Sequence, residues 1–321
     1  MTITQLHYVL AVAEFRNFTK ASEKVFVTQP TLSMQIQKFE EELGVKVFDR
    51  TKKPIHLTEV GQKIVKQAKN IVNESIRIND IIDQQKGFIG GEFKLGIIPT
   101  VMPTLLPMFL NNFINKYPKV KLRIEEYHTQ EIIEHLRDGT IDAAIAATPL
   151  EEDDILEHKL YYEPFVGYIP KHHALQNKSH LQKDDISTDD VLLLEDGHCF
   201  KNNVLNLCQS DLSITDSKFN LESGSFETLI KLSDEGLGMT LLPYLHSLSL
   251  QDDAKDNIKP FEKPQPAREI SLIYHQSELK IHIIDALKEL ILGIVKGAIE
   301  FEDVDIISPI PKENQSEVSI D

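Results

Sequence analysis

Both cysteines of this 321-residue chain stand in one short stretch, EDGHCFKNNVLNLCQS (residues 195–210). Cys199 follows Gly197 and His198, and Cys208 comes nine residues later. Two thiols this close in sequence could form a redox-active pair, a sulfenic acid on one closing into a disulfide with the other. Such reactivity calls for a lowered thiol pKa. VLLLED followed by GHCFKNNVLNL reads as a strand, a turn and a helix. Cys199 then falls at a helix N-terminus, where the dipole favours negative charge, and His198 beside it can lend a positive neighbour or a proton. A cysteine by itself is more often a small buried hydrophobe. The residues alone therefore leave redox chemistry and inert packing both open.

The spacing carries its own constraint. If residues 199–208 are helical, nine rises of ~1.5 Å put the two Cα atoms about 13 Å apart. A disulfide needs them within roughly 4.4–6.8 Å. Helix and bond exclude each other, so oxidation has to rearrange the segment. Asn202, Asn203 and Asn206 are poor helix formers and would ease that change.

The elements that would hold such a site fall into three regions. Residues 1–58 read as short helices and a hairpin. Leu6, Val9, Leu10 and Ala13 repeat at helical spacing, and Thr19 is a possible N-cap for the next helix. In TQPTLSMQIQKFEEELG, Thr28 is a good N-cap, Pro30 suits the first turn and Gly44 marks the end. Leu32, Ile36, Phe39 and Leu43 form its expected buried stripe. VKVFDRTKKPIHLTEVG alternates, turns at TKKP and alternates again, so the order is that of a winged helix-turn-helix. Residues 59–87 predict a long linker helix. Ile64, Ala68, Ile71, Ser75, Ile78 and Ile82 are spaced four and three, a heptad seam that calls for a partner helix, and GFIGG ends it as a hinge-like break. The alternative for this seam is packing on the helix's own domain. From residue 91 to 300, short apolar runs (FKLGII, VKLRIEEY, AAIAA, FVGYIP, VLLLED, MTLLP, ISLIYH) alternate with helical stretches. This predicts an α/β domain with parallel strands and room for two lobes around a cleft. Residues 301–321 are polar and proline-containing and read as a disordered tail.

Charge divides along the same lines. The chain carries a net charge of −16, yet residues 1–90 hold 13 Lys and Arg against 10 Asp and Glu. The remainder holds 21 against 40, so balances of +3 and −19 separate the two parts. Only the N-terminal part is suited to approach a polyanion. Two cysteines exclude a disulfide-stapled scaffold, and no basic-then-apolar signal or bilayer-length run is found. A cytoplasmic protein with no membrane association is expected. The 12 histidines show no ligand spacing, and no Walker or dinucleotide glycine motif is found. No metal and no cofactor are expected.

FTKASEKVFVTQPTLSMQIQKFEEELGVKVFDR…LTEVG resembles the N-terminal signature of the LysR-type transcriptional regulators, and the resemblance extends over about residues 1–300. It implies a two-lobed, periplasmic-binding-protein-like effector domain and a homodimer or homotetramer that binds double-stranded promoter DNA. Gln29, Thr31, Ser33 and Gln37, on the helix that Pro30 opens, could then reach base edges. Thr19, Arg50, Lys52 and Lys53 suit phosphate contacts. Met34 stands where many relatives carry arginine. Within the family, GHC with a second cysteine nine residues on resembles the hydrogen-peroxide-sensing OxyR subfamily. Thr100 in IPT, Thr129 in HTQ and Arg268 in PAREI resemble, with His198, its sensing pocket, whereas FKNNVLNL departs from the usual segment. The signal is then hydrogen peroxide, and the oxidised form is reset by a cellular thiol reductant. The competing readings are a LysR-type regulator of a small metabolite or anion with idle cysteines, a thiol peroxidase, and, weakest, a solute-binding receptor.

Overall fold

The computed structural model describes residues 1–85, 89–187, 190–208, 223–297, 299 and 303–310, without the side chains of 76 and 79–85. The chain divides into two compact units, Met1–Gly87 and, in the main, Phe88–Asp321.

The first unit holds α1 (Ile3–Phe15), α2 (Phe18–Lys24), α3 (Gln29–Leu43), a two-stranded wing of β1 (Phe48–Asp49) and β2 (His56–Leu57), and α4 (Glu59–Gln85). Asn17, not Thr19, caps α2; its side-chain oxygen accepts from the N–H groups of Thr19 and Lys20, which places Thr19 inside the first turn. Thr28 caps α3, Pro30 lies in its opening turn and Gly44 ends it at φ +69°. Leu32, Ile36 and Phe39 are buried, but Leu43, at the helix end, is 40% exposed. A charged residue completes the stripe instead. Glu40 is 2% exposed, accepts from the N–H groups of Val47 and Phe48, and pairs with Lys46 and Arg50. Those bonds anchor the wing's first strand to α3 and neutralise a carboxylate that would otherwise be costly to bury.

The seam of α4 serves its own unit over its first half. Ala68 is buried, and Ile64 and Ile71 are partly buried on the winged-helix core with α1. Ile78 is 61% exposed and free for another surface; the side chain of Ile82 and residues 87 and 88 of GFIGG lie outside the described residues. The glycine near the start of α4 is required by close approach. A Cβ at Gly61 would lie 2.1 Å from the carbonyl oxygen of Val47.

The second unit contains β3 (Gly91–Ile97), α5 (Met102–Lys116), β4 (Val120–Glu126), α6 (Thr129–Arg137), β5 (Ala143–Thr148) and β6 (Ile155–Tyr168). It continues with β7 (Val191–Leu192), α7 (Cys199–Cys208), α8 (Phe226–Asp234), β8 (Met239–Pro243), α9 (Tyr244–Leu248) and α10 (Asp252–Lys255). It ends with β9 (Ile258–Pro260), β10 (Gln265–His275), α11 (Ile281–Val295) and β11 (Val304–Ile306). The main path is β4-β3-β5-β10-β6-β8-β7, with β9 on β6 and β11 on β10. The sheet is mixed rather than parallel: β3 with β4 and β5, and β7 with β8, are parallel, whereas β6 and β10 run antiparallel to their main partners. β6 starts ten residues before FVGYIP and contributes to two separate apolar cores, while β10 contributes to the first. One core gathers β3, β5, α5, α6 and α11; the other gathers β7, β8, α7 and α8. These are the two expected lobes.

The C-terminal segment departs from expectation where it is described. β11 pairs in parallel with the start of β10, and Ile307 is buried in the second core. Residues 311–321 lie outside the described residues.

Gly61→Ala is expected to destabilise the first unit by about 2–3 kcal/mol, because the added methyl meets fixed backbone. Urea unfolding followed by far-UV circular dichroism reads this; an unchanged transition would contradict the close approach.

Candidate functional site

The two cores meet at the N-terminus of α7. Cys199 packs in the first core and its neighbour Phe200 in the second. Gly197, at φ +95°, turns the chain into the helix in a conformation that a side chain would strain. No disulfide joins Cys199 and Cys208. They sit at opposite ends of a ten-residue helix, Cys199 buried and Cys208 half-buried.

Around the Cys199 sulfur the fold gathers groups from distant segments. Arg268 stands on β10 directly opposite Glu163 on β6, and both are essentially unexposed, at 0% and 1%. The Arg268 Nε and Nη2 donate to Glu163 Oε2 at 3.0 and 2.7 Å; Nη1 donates to Thr100 Oγ1 at 2.8 Å, and Nη2 to the Thr100 carbonyl at 3.2 Å. Glu163 Oε1 in turn accepts from the N–H of Leu245. The guanidinium also lies over the Phe200 ring, 5.2 Å from its centroid. Thr129, the first residue of α6, turns a buried hydroxyl without a conventional hydrogen-bond partner to the sulfur side. Thr100, Thr129, His198, Cys199 and Arg268 thus converge.

The electrostatics correct one expectation. Burial pushes the Cys199 thiol above its ordinary pKa; the Arg268 charge, the Thr129 hydroxyl and the N–H groups of Phe200 and Ala147 oppose that rise without overcoming it. The resting sulfur is therefore a thiol, poised beside groups that stabilise its anion. His198 moves the other way. Burial first, and His128 second, lower its pKa, while Glu195 opposes them, so its surroundings favour the neutral imidazole.

Sequence reasoning missed Glu163, His128 and Glu195. His128 was legible as a polar residue before a helix in HTQ, but its approach to His198, ring to ring at 4.6 Å and 86°, depends on the fold. Glu163 in LYYEPF carried no signal, since its burial is a consequence of β10 lying opposite. The segment after β11 was missed too. Asn203 Nδ2 donates to the carbonyl of Ile307, and Asn206 Nδ2 to those of Ser308 and Ile310. The asparagines read as weak helix formers are cross-braced by the C-terminal segment.

In the first unit, Thr19, Gln29, Pro30, Thr31, Gln37, Arg50, Lys52 and Lys53 are exposed, and Ser33 is half-buried. Gln29, Ser33, Arg50, Lys52 and Lys53 line one groove with Arg16, Asn17 and Lys20. Arg50 is partly committed to Glu40 and lies over Phe18 at 5.0 Å, so it presents its charge from a fixed position. Met34 is 61% exposed on the same helix.

Residues 3–62 match the family described as bacterial regulatory helix-turn-helix protein, lysR family, and residues 86–293 match the LysR substrate binding domain. A hydrogen peroxide-inducible genes activator of Dickeya chrysanthemi is 35% identical over 277 residues, 85% of this chain and 89% of its own. The DNA-binding transcriptional dual regulator OxyR of Escherichia coli (strain K12) is 34% identical over the same shares. A full-length OxyR variant from Pseudomonas aeruginosa superposes with a TM-score of 0.72 at 32% identity, covering 91% of this chain and 94% of that one. A mutant OxyR from Corynebacterium glutamicum bound to hydrogen peroxide gives 0.62 at 27% identity, covering 92% and 93%.

Glu163→Gln leaves Arg268 as an uncompensated buried charge, and the loss of such a partner costs on the order of 3 kcal/mol. The variant is expected to unfold earlier in urea, while its Cys199 alkylates faster at neutral pH because the opposing positive charge is no longer neutralised. Equal stability with slower alkylation would contradict this electrostatic role.

Proposed function

We propose, on the premise that this chain belongs to the lysR family of bacterial regulatory proteins and to its OxyR branch, that it binds promoter DNA and takes hydrogen peroxide as its signal. The observation that carries the reading is the pairing of Arg268. Four of its five N–H donors are engaged by Glu163 and Thr100, so an anionic effector finds no free two-pronged guanidinium edge. The remaining polar groups, the thiol, the Thr129 hydroxyl and the neutral His198, suit an uncharged molecule that both donates and accepts.

Cys199 gives up its proton, with its chain neighbour His198 as the acceptor, and the sulfur attacks one peroxide oxygen. The O–O bond breaks, and the second oxygen leaves as water once protonated. The sulfenic acid on Cys199 then loses its oxygen as a second water when the Cys208 sulfur attacks. Two thiols and one peroxide become one disulfide and two waters. Because helix α7 holds the sulfurs at its two ends, closure draws Phe200, Val204 and Leu207 out of the second core and breaks the braces from Asn203 and Asn206. The exposed face of α3 reads DNA with the wing, and the Ile78 end of α4 meets a second copy in a homodimer or homotetramer. Rearrangement of α7 alters the effector-domain surface and biases that assembly. A cellular thiol reductant resets the switch in the cytoplasm. A thiol peroxidase would instead turn over many peroxides per chain.

Mass spectrometry after a near-stoichiometric peroxide dose tests this. Cys199→Ser is expected to lose oxidation and the transcriptional response; Cys208→Ser is expected to leave a sulfenic acid on Cys199 that a dimedone-type probe traps. Asn206→Ala removes bracing hydrogen bonds worth about 1 kcal/mol each and is expected to close the disulfide about fivefold faster or more. A Cys208→Ser protein with no adduct on Cys199 would overturn the reading.

A further inference from the structure

Three side chains next to the redox cysteine have no assigned task as a group: His128, Glu195 and His198. His128 immediately precedes α6, while Glu195 and His198 lie in the turn leading into α7, so the fold brings together residues about 70 positions apart in the chain. One donor atom from each lies within 4.8 Å of the others. His198 Nε2 is 3.7 Å from Glu195 Oε1, too long for a hydrogen bond and close to the separation of two donors sharing one ion. Bonds of about 2.1 Å in tetrahedral geometry place such donors about 3.4 Å apart. The His198 side chain is only 2% exposed, and the His128 Nδ1 is buried without a hydrogen-bond partner. A buried imidazole left unsatisfied in this way is costly unless something engages it.

The backbone around the three leaves room for a guest. A Cβ on Gly224 would stand 2.9 Å from Glu195 Oε1 and 3.0 Å from His198 Nε2, at the point where the two donors face each other. Glycine keeps that volume open, and the bond from the Glu195 N–H to the Ser223 carbonyl fixes the segment there. Two imidazoles and one carboxylate suit a divalent first-row transition ion, with open positions left over.

We propose that His128, Glu195 and His198 bind such an ion, with Zn²⁺ as its simplest representative. The ion ties the start of α6 to the start of α7, the helix that disulfide closure has to rearrange. This consequence rests on the peroxide reading; the binding itself does not. The ion-loaded protein therefore closes its disulfide more slowly under peroxide, and release of the ion sensitises the site.

The test uses the full-length chain carrying Cys199→Ser and Cys208→Ser, so that thiols cannot hold the metal. Zn²⁺ is titrated in competition with a chromogenic chelator. One saturable site per chain is expected, weakened at least tenfold by His128→Ala, by Glu195→Gln and by Gly224→Ala, which keeps every ligand but fills the space. Far-UV circular dichroism and thermal unfolding of each variant without metal confirm that the chain is folded. An affinity that all three substitutions leave unchanged places the ion on other histidines and overturns the proposal, as does the absence of saturable binding. In the chain with both cysteines, Zn²⁺ is expected to slow peroxide oxidation at least threefold, and a chelator to restore it. Binding without slowing would retire the regulatory consequence while leaving the site intact.

Discussion

The buried pair between Arg268 and Glu163 is the constraint around which the effector unit is built. It joins the two long strands β6 and β10, of which β6 contributes to both apolar cores, and its guanidinium lies over Phe200 where α7 begins. An unpaired guanidinium could not be held there, and a pair of this kind gains little stability over an apolar substitute. Its value is positional. Through Arg268 it sets Thr100, supports the face of Phe200 and places positive charge by Cys199, where that charge opposes the rise in thiol pKa that burial imposes.

Helix α7 answers to opposing demands. Phe200 stacks edge-on with Phe165 and Phe226, and Val204 and Leu207 fill the second core. Its polar side is anchored through Asn203 and Asn206 to the backbone of residues 307–310. The same ten residues carry sulfurs at both ends that cannot meet while the helix lasts. Three asparagines with weak helix propensity make it costly to form without outside support, and two of them, Asn203 and Asn206, draw that support from the C-terminal segment. Stability in the reduced state and the capacity to rearrange thus reside in the same few hydrogen bonds.

Much of this was legible in the sequence because it is written in local periodicity. Thr28, Pro30 and Gly44 bound α3 by capping rules, the wing turned where TKKP indicated, and the strand-like runs marked most of the sheet. What was not legible depends on residues meeting across the chain. Leu43 obeyed the helical stripe yet lies exposed because the buried position was taken by Glu40, whose carboxylate answers N–H groups seven and eight residues on. Asn17 outcompeted Thr19 as a cap by two residues, a choice that both sequences of letters allow. The mixed sheet followed from β6 and β10, whose interleaved charges hid their length. His128, Glu195 and Glu163 gained their meaning only from neighbours more than 60 residues away. The polar C-terminal stretch looked like a tail because β11 is short and its partners are backbone carbonyls, which composition does not encode.

The central claim is that one covalent bond and one helix exclude each other between residues 199 and 208. Hydrogen exchange of the α7 amides, compared between reduced protein and protein oxidised by one equivalent of peroxide, tests it most directly. The account predicts that protection across residues 203–208 falls as the Cys199–Cys208 bond appears by mass spectrometry, and that it returns on reduction. A Cys199–Cys208 bond formed with α7 protection unchanged would contradict it.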